Sequence, residues 1–303
     1  MARAATSASR GSSGREGLRE EIVDWYAGHA RPLPWRDPSC SPWGVLVSEV
    51  MSQQTPVARV APVWQEWLDR WPSPKALAEA SPADVVRAWK RLGYPRRALR
   101  LREAAIVIVD RHGGEVPHAE EDLRALPAVG EYTAAAVTAF GFGRRSVVID
   151  TNVRRVLVRT LEARAQAAPA LTARERALAA SMVPDDPASA ATWNVAVMEF
   201  GAVVCTARAP DCASCPVSAA CGWALAGFPP DDGRARRGQA WQGTDRQVRG
   251  AVLQVLRESE TPVGHDELLG IAAAEGQLDR ALASLVEDGL LEADDDGLWR
   301  LPV

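Results

Sequence analysis

Apolar residues recur at helical spacing along most of the chain and almost never alternate. Leu18, Ile22, Trp25 and Tyr26 lie on one face of a helix expected over 17–30. Prolines 32, 34, 38 and 42 then impose a loop. A second helix is expected from Val45 to Val57, and further helical patterns follow at about 60–70, 75–80, 82–92, 95–112, 131–140, 151–161, 172–182 and 187–204. Ser81 before Pro82 is a strong start signal, and Pro127 to Gly130 is a turn between helices. Residues 1–16, rich in Ala, Ser, Gly and Arg and without an apolar core segment, read as a disordered tail. The expected organisation is a helical domain over 17–222, a linker over 223–245 with Arg234, Arg236 and Arg237, and a small domain over 246–303.

In that small domain, helices at about 246–258, 264–274 and 277–288 precede a hairpin from Leu290 to Leu301 around Asp296-Gly297. Three helices and a hairpin resemble a winged helix. The length of 303 residues allows two or three such units. No apolar run reaches membrane-spanning length and no secretory signal opens the chain, so the expected location is the cytoplasm, on the nucleoid.

Net charge is −4, unevenly spread. Seven basic residues and no acidic one lie between Arg87 and Arg102, whereas twelve acidic residues and one Arg lie between Glu258 and Asp296. A basic middle and an acidic end point to different partners. An acidic winged helix is a poor reader of a DNA groove, so a structural cap or a protein contact is expected of it.

Of five cysteines, Cys40 stands alone and reads as filler. Cys205, Cys212, Cys215 and Cys221 are spaced C-x6-C-x2-C-x5-C. Four thiolates this close bind metal in a reducing compartment. Spacing alone leaves both an iron–sulfur cluster and a tetrahedral zinc open. Upstream, Leu126-Pro127-Ala128-Val129-Gly130-Glu131-Tyr132-Thr133 reads as a hairpin between helices. Twenty residues after Gly130, Asp150 ends the run Val147-Val148-Ile149 at a helix start, where a plain N-cap is the simplest alternative.

Cluster loop, hairpin and aspartate, in this order, resemble the endonuclease III superfamily of helix–hairpin–helix DNA glycosylases. The resemblance covers about 17–222. It implies a mainly α, two-lobed fold, with a six-helix lobe over about 41–140 and an iron–sulfur lobe over about 17–40 and 141–222. The winged-helix-like α+β domain follows. It also implies a [4Fe–4S] cluster on Cys205, Cys212, Cys215 and Cys221, and phosphate contact by the hairpin residues Val129 and Gly130. Strand-cutting members carry a lysine shortly after the hairpin glycine. Here that position is Tyr132, and the only lysines are Lys75 and Lys90, which implies a monofunctional glycosylase.

Leu33-Pro34-Trp35-Arg36, Ser48-Glu49-Val50-Met51 and Gln53-Gln54-Thr55 are similar to the MutY-type adenine glycosylases, as are Leu92-Gly93-Tyr94 and Trp193 to Gly201. This implies double-stranded DNA with adenine opposite 8-oxoguanine or guanine as the substrate, handled by a monomer. Glu49 is then the acid that protonates adenine, and Asp150 the carboxylate that stabilises the sugar cation. Tyr132 and Asn152 orient the site. Gln54 is the wedge that fills the gap, with Thr55 beside it, and Arg31, Leu33, Trp35, Val57 and Met198 form the pocket wall, next to Arg36.

Two positions depart from the pattern. Ala128 replaces a hairpin glycine, and Val195 replaces a Glu or Gln that contacts adenine. The segment after Cys221 is short for the Nudix-like domain that usually reads 8-oxoguanine, a layout similar to short forms from high-GC bacteria. The alternatives are a thymine or uracil mismatch glycosylase, which needs no acid for adenine, and a non-catalytic iron–sulfur DNA-binding protein, against which Glu49 and Asp150 weigh.

Overall fold

Almost every apolar stripe in the sequence becomes the buried face of a helix. The computed structural model describes residues 5–230, 242–272 and 274–303. Its helices are α1 (Ala5–His29), α2 (Pro42–Ser52), α3 (Val57–Arg70), α4 (Pro74–Ala78), α5 (Pro82–Ala88), α6 (Arg96–His112), α7 (Glu120–Ala125), α8 (Glu131–Ala136), α9 (Thr151–Glu162), α10 (Ala173–Ala180), α11 (Pro187–Val203) and α12 (Gly222–Leu225). After the linker come α13 (Asp245–Glu258), α14 (His265–Leu268) and α15 (Gln277–Glu287), then two short antiparallel strands, β1 (Glu292–Ala293) and β2 (Trp299–Arg300). Local chemistry sets many boundaries. The Ser81 hydroxyl accepts from the Asp84 N–H at 3.1 Å, Thr172 and Glu175 form a reciprocal capping box, and Gly113 ends α6 at φ 63°. Among the described residues no helix is long and apolar enough to cross a membrane.

The chain divides into two units. The first comprises residues 1–46, 118–124 and 129–234. Its core joins Leu18 and Ile22 of α1 to Val153, Val156 and Leu157 of α9 and to Trp193 and Phe200 of α11. The second comprises residues 47–117, 125–128 and 235–303. Trp67 and Trp89 are fully buried there, their rings 5.6 Å apart in an edge-to-face contact, with Trp71 packed against Trp67.

Four expectations change. Residues 5–16, expected as tail, lie in α1 although their serines and glycines are poor helix formers, because extending a helix already nucleated over 17–29 adds a hydrogen bond for each residue fixed; residues 1–4 are outside the described residues. The single helix over Val45–Val57 is two: α2 stops at Ser52, and Pro56 precedes the new start at Val57. The helix at 264–274 shrinks to α14 plus a 3-10 turn over Leu269–Ile271, where Gly270 weakens it.

The fourth change concerns the small C-terminal domain, which groups with the second unit. Val86 of α5 is part of the same cluster as Val248, Val252, Leu256 and Leu282, and Ala83 and Leu99 pack against it. The basic stretch also meets the acidic domain: Arg96 pairs with Asp288 at 3.2 Å, and Arg91 donates to Gln254 at 3.3 Å. Linker residues 231–241, including Arg234, Arg236 and Arg237, lie outside the described residues.

Candidate active site and cysteine pocket

Asp150 is the N-cap of α9. Its Oδ1 accepts from the Val153 N–H at 2.6 Å, and its Oδ2 accepts from the Asn152 amide at 2.7 Å. The capping role is therefore real, and it aims a carboxylate at a fixed place. Burial pushes the Asp150 carboxyl above its ordinary value of 3.8, while the hydrogen bonds from Val153 and Asn152 and the nearby Arg155 charge pull it back.

The support continues inward. The buried Arg155 donates to Asn152 Oδ1 at 2.7 Å, to the Gly201 carbonyl at 2.6 Å and to the Cys205 carbonyl at 2.7 Å. One unbroken chain of hydrogen bonds runs from the Asp150 carboxylate through Asn152 and Arg155 to the backbone of a pocket cysteine. Close packing fixes it, since a Cβ added at Gly201 would sit 2.8 Å from the Asn152 Cβ. Gly201 is thus needed for helix approach, not for turning. Tyr132, on α8, and Met198, on α11, pack against the same small cluster of Ala135, Ala136, Ala139 and Val148. The last turn of α8 widens into a π-helix over Val137–Gly141.

Arg31 and Arg36 share one partner. Glu199 is 1% exposed. Arg31 grips both of its oxygens at 2.6 and 2.8 Å, and Arg36 donates to Oε2 at 2.8 Å and to the Arg31 carbonyl at 3.1 Å. Burial alone would raise the Glu199 carboxyl; the hydrogen bonds from Arg31 and Arg36 outweigh it and hold the group at about 2. This triad fixes the half-buried Leu33–Arg36 segment. Sequence reasoning named the two arginines and missed the glutamate, whose signal was a lone acid in the apolar helix Trp193–Phe200.

Glu49, Gln54, Thr55 and Val57 belong to the second unit. Glu49 is half-buried on the last turns of α2. Gln54 is exposed and left-handed at φ 54°, a conformation rare for a residue with a Cβ. What holds this turn is Arg97, which sequence reasoning did not single out. Its guanidinium donates to the carbonyls of Val50 at 2.7 Å, Met51 at 3.1 Å, Gln53 at 2.6 Å and Gly93 at 3.0 Å, and to the Thr55 hydroxyl at 3.0 Å. Thr55 in turn donates to the Leu92 carbonyl at 2.9 Å. A cation thus caps the C-terminal end of the Glu49 helix, where carbonyls are otherwise unsatisfied.

In the hairpin, Val129 is buried and Gly130 is exposed at the N-cap of α8. Gly130 has φ −95°, whereas Ala128 carries the left-handed conformation, at φ 64°. The positive-φ position is therefore the one where alanine replaces glycine.

The four cysteines line a single pocket with Arg159, Val217 and Trp223. Among the described residues no three His, Cys, Asp or Glu side chains converge tightly enough for a lone metal ion. Burial pushes the Cys215 thiol up to about 11. Arg159, 2% exposed, donates to Cys205 Sγ at 3.4 Å and to the Thr206 carbonyl at 2.7 Å, and its guanidinium lies 4.6 Å from the Trp223 ring centroid.

Known proteins resemble this chain over much of its length. Residues 47–180 match the HhH-GPD superfamily of base excision DNA repair proteins. An adenine DNA glycosylase from Mycobacterium tuberculosis is 50% identical over 282 residues, covering 93% of this chain and 92% of its own. One from Mycolicibacterium smegmatis is 49% identical over 282 residues, covering 93% and 94%. Among solved structures, a thermostable thymine-DNA glycosylase superposes with a TM-score of 0.63 at 26% identity, over 71% of this chain and 98% of its own. The chain belongs to the MutY-type adenine DNA glycosylases of the HhH-GPD superfamily.

Proposed function

We propose that this DNA glycosylase takes adenine, mispaired with 8-oxoguanine or guanine, out of the duplex and hydrolyses its N-glycosidic bond. The observation that carries the proposal is the buried Asp150 carboxylate, oriented by Val153 and Asn152 and, through Asn152, by Arg155. Adenine leaves poorly as an anion, so its ring must first gain a proton, and Glu49 supplies it at N7. The C1′–N9 bond then breaks, adenine departs neutral, and positive charge develops on the sugar. A fixed carboxylate stabilises that charge more than water would, because it needs no reorganisation. Water adds at C1′ and loses a proton, leaving an abasic site. Tyr132 and Asn152 orient the sugar. With tyrosine at 132 no Schiff base forms and the strand stays whole.

Base flipping leaves a gap in the stack. Gln54, exposed on its strained turn, is the wedge, with Thr55 anchoring it. The resemblance assigns Leu33, Trp35, Val57 and Met198 to the adenine pocket, and Glu199 locks Arg31 and Arg36 at the two ends of the Leu33–Arg36 segment. Val129 and Gly130 bring backbone N–H groups to a phosphate, a contact that positions without reading sequence.

Cys205, Cys212, Cys215 and Cys221 would hold a [4Fe–4S] cluster. Four thiols lining one pocket are the donor set such a centre takes, and the resemblance of the surrounding motifs favours iron–sulfur over the zinc that the spacing alone leaves open. When bound, such a cluster fixes the 205–221 loop. Arg159 and Arg155 tie that loop to α9.

The test is a set of duplexes with A opposite 8-oxoguanine, A opposite G, T opposite G and U opposite G, each treated with alkali after incubation. Cleavage is expected at adenine alone, and Glu49→Gln should abolish it while DNA binding survives. Cleavage only at T or U would replace adenine with pyrimidine mismatch repair, and cleavage nowhere would leave a DNA-binding protein.

A further inference from the structure

Tyr94 is an aromatic ring in an unusual setting. It is 43% exposed, its backbone is left-handed at φ 47°, and it follows Gly93 at φ 82°. Two guanidinium groups flank it. Arg97 lies 5.5 Å from the ring centroid, and Arg246, on the first turn of α13, lies 4.9 Å from it. Arg97 also holds the carbonyls of Gly93 and Gln53, so the Tyr94 turn and the Gln54 turn hang on one side chain.

Arg246 comes from the C-terminal domain, and its placement is firm. The Thr244 hydroxyl accepts from the Gln247 N–H to cap α13, Arg280 pairs with Asp245 at 3.3 Å, and Gln277 donates to the Gly243 carbonyl at 3.1 Å. The same helix docks through the cluster that contains Val86, and Arg257 donates to the Val86 carbonyl at 3.0 Å.

We propose that Arg246 is a positioning residue through which the C-terminal domain holds the Tyr94 turn beside the wedge and so strengthens the grip on mispaired DNA. The proposal rests on the adenine glycosylase function above. A cation over an exposed ring is worth about 0.5–1 kcal/mol, or a two- to fivefold change in affinity. It restrains a left-handed turn that would otherwise relax on its own. The acidic domain need not touch DNA to matter, because it acts through one basic side chain on an aromatic of the neighbouring helical layer.

The experiment uses the full chain and four variants: Arg246→Ala, Arg246→Lys, Tyr94→Leu and the Arg246→Ala, Tyr94→Leu pair. Fluorescence anisotropy measures Kd for a duplex carrying a tetrahydrofuran abasic analogue opposite 8-oxoguanine, and for a matched homoduplex. Single-turnover excision of adenine opposite 8-oxoguanine gives the chemical step, and thermal melting verifies the fold. Arg246→Ala is expected to raise Kd for the lesion duplex two- to fivefold with the homoduplex nearly unmoved and the saturating excision rate kept. Arg246→Lys should recover most of the loss. The double variant should bind no worse than Tyr94→Leu. An Arg246→Ala loss that persists in full beside Tyr94→Leu, or that is equal on the homoduplex, would show a plain phosphate contact and overturn the proposal. Unchanged binding in Arg246→Ala would overturn it too. A wild-type chain that neither prefers the lesion duplex nor excises adenine would sink the functional reading as well.

Discussion

The buried Asp150 carboxylate burdens the fold at neutral pH. Its burial raises the carboxyl above the ordinary value, so the folded protein holds that proton more tightly than the unfolded chain. Any stability from this residue is present below the unfolded value and lost as pH rises through the folded one. At neutral pH its charge is a burden. Asp150→Asn keeps the N-cap, since asparagine caps as well as aspartate, and removes the charge. The variant is expected to melt at a higher temperature at pH 7 while losing excision; a lower melting point would show that the Val153 and Asn152 hydrogen bonds outweigh burial. Glu199 is the opposite case. Held at about 2 against an ordinary 4.5, it stabilises the fold above pH 4.5, and that contribution disappears as pH falls towards 2. The difference is on the order of 3 kcal/mol. Glu199→Gln should therefore lower Tm at pH 7 and flatten its fall between pH 5 and 3, in about the range these values set; an unchanged acid limb would move the acid sensitivity to other carboxylates.

At the scale of elements, the hairpin carries a local conflict. Ala128 occupies a left-handed conformation that costs alanine about 1–2 kcal/mol, whereas glycine takes it freely. Glycine gives back about 0.4–1 kcal/mol through the more flexible unfolded chain. Ala128→Gly should thus gain roughly 0.5–1 kcal/mol, seen as a rise of about 2 °C in Tm, and a fall would mean that the turn is not strained. Sequence located this hairpin and showed the missing glycine, since both are local. It also showed the caps at Ser81 and Asp150, because a capping side chain lies within three residues of its partner. It did not show where α2 ends. Val45 to Val57 has unbroken helical character up to Pro56, and the helix stops because Arg97, more than forty residues later, takes up the carbonyls of Val50, Met51 and Gln53. The Glu199 triad was hidden in the same way: both arginines lie over 160 residues from their partner. Local chemistry is written in local pattern, while a long-range cation on a helix end is not.

At the scale of the molecule, the charge pattern invited a division of labour that the second unit does not follow. The basic stretch from Arg87 to Arg102 and the acidic end read as surfaces for different partners. Instead Arg97 is half-buried and holds the Gln54 turn, Arg102 donates to the Ala80 carbonyl at 2.7 Å, and Arg91 and Arg96 meet the C-terminal domain. Charge complementarity is visible there, but it is not what holds the domain. Arg96 is 56% exposed in its pair with Asp288, and exposed pairs contribute about 0–1 kcal/mol. Val86 is fully buried among Val248, Val252 and Leu256. Removing its two methyl groups forfeits about 1.6 kcal/mol of transfer free energy and leaves a void, roughly 2 kcal/mol in all. Val86→Ala should therefore lower stability by about that amount, whereas Arg96→Ala should cost under about 0.5 kcal/mol. Denaturant unfolding of the full chain at low and high salt decides between the two origins. If the apolar seam dominates, the Val86→Ala loss is the same at both salt concentrations and far exceeds that of Arg96→Ala. A larger Arg96→Ala loss that salt erases would mean that the acidic domain is held by its charge, and the basic stretch would then exist to hold it.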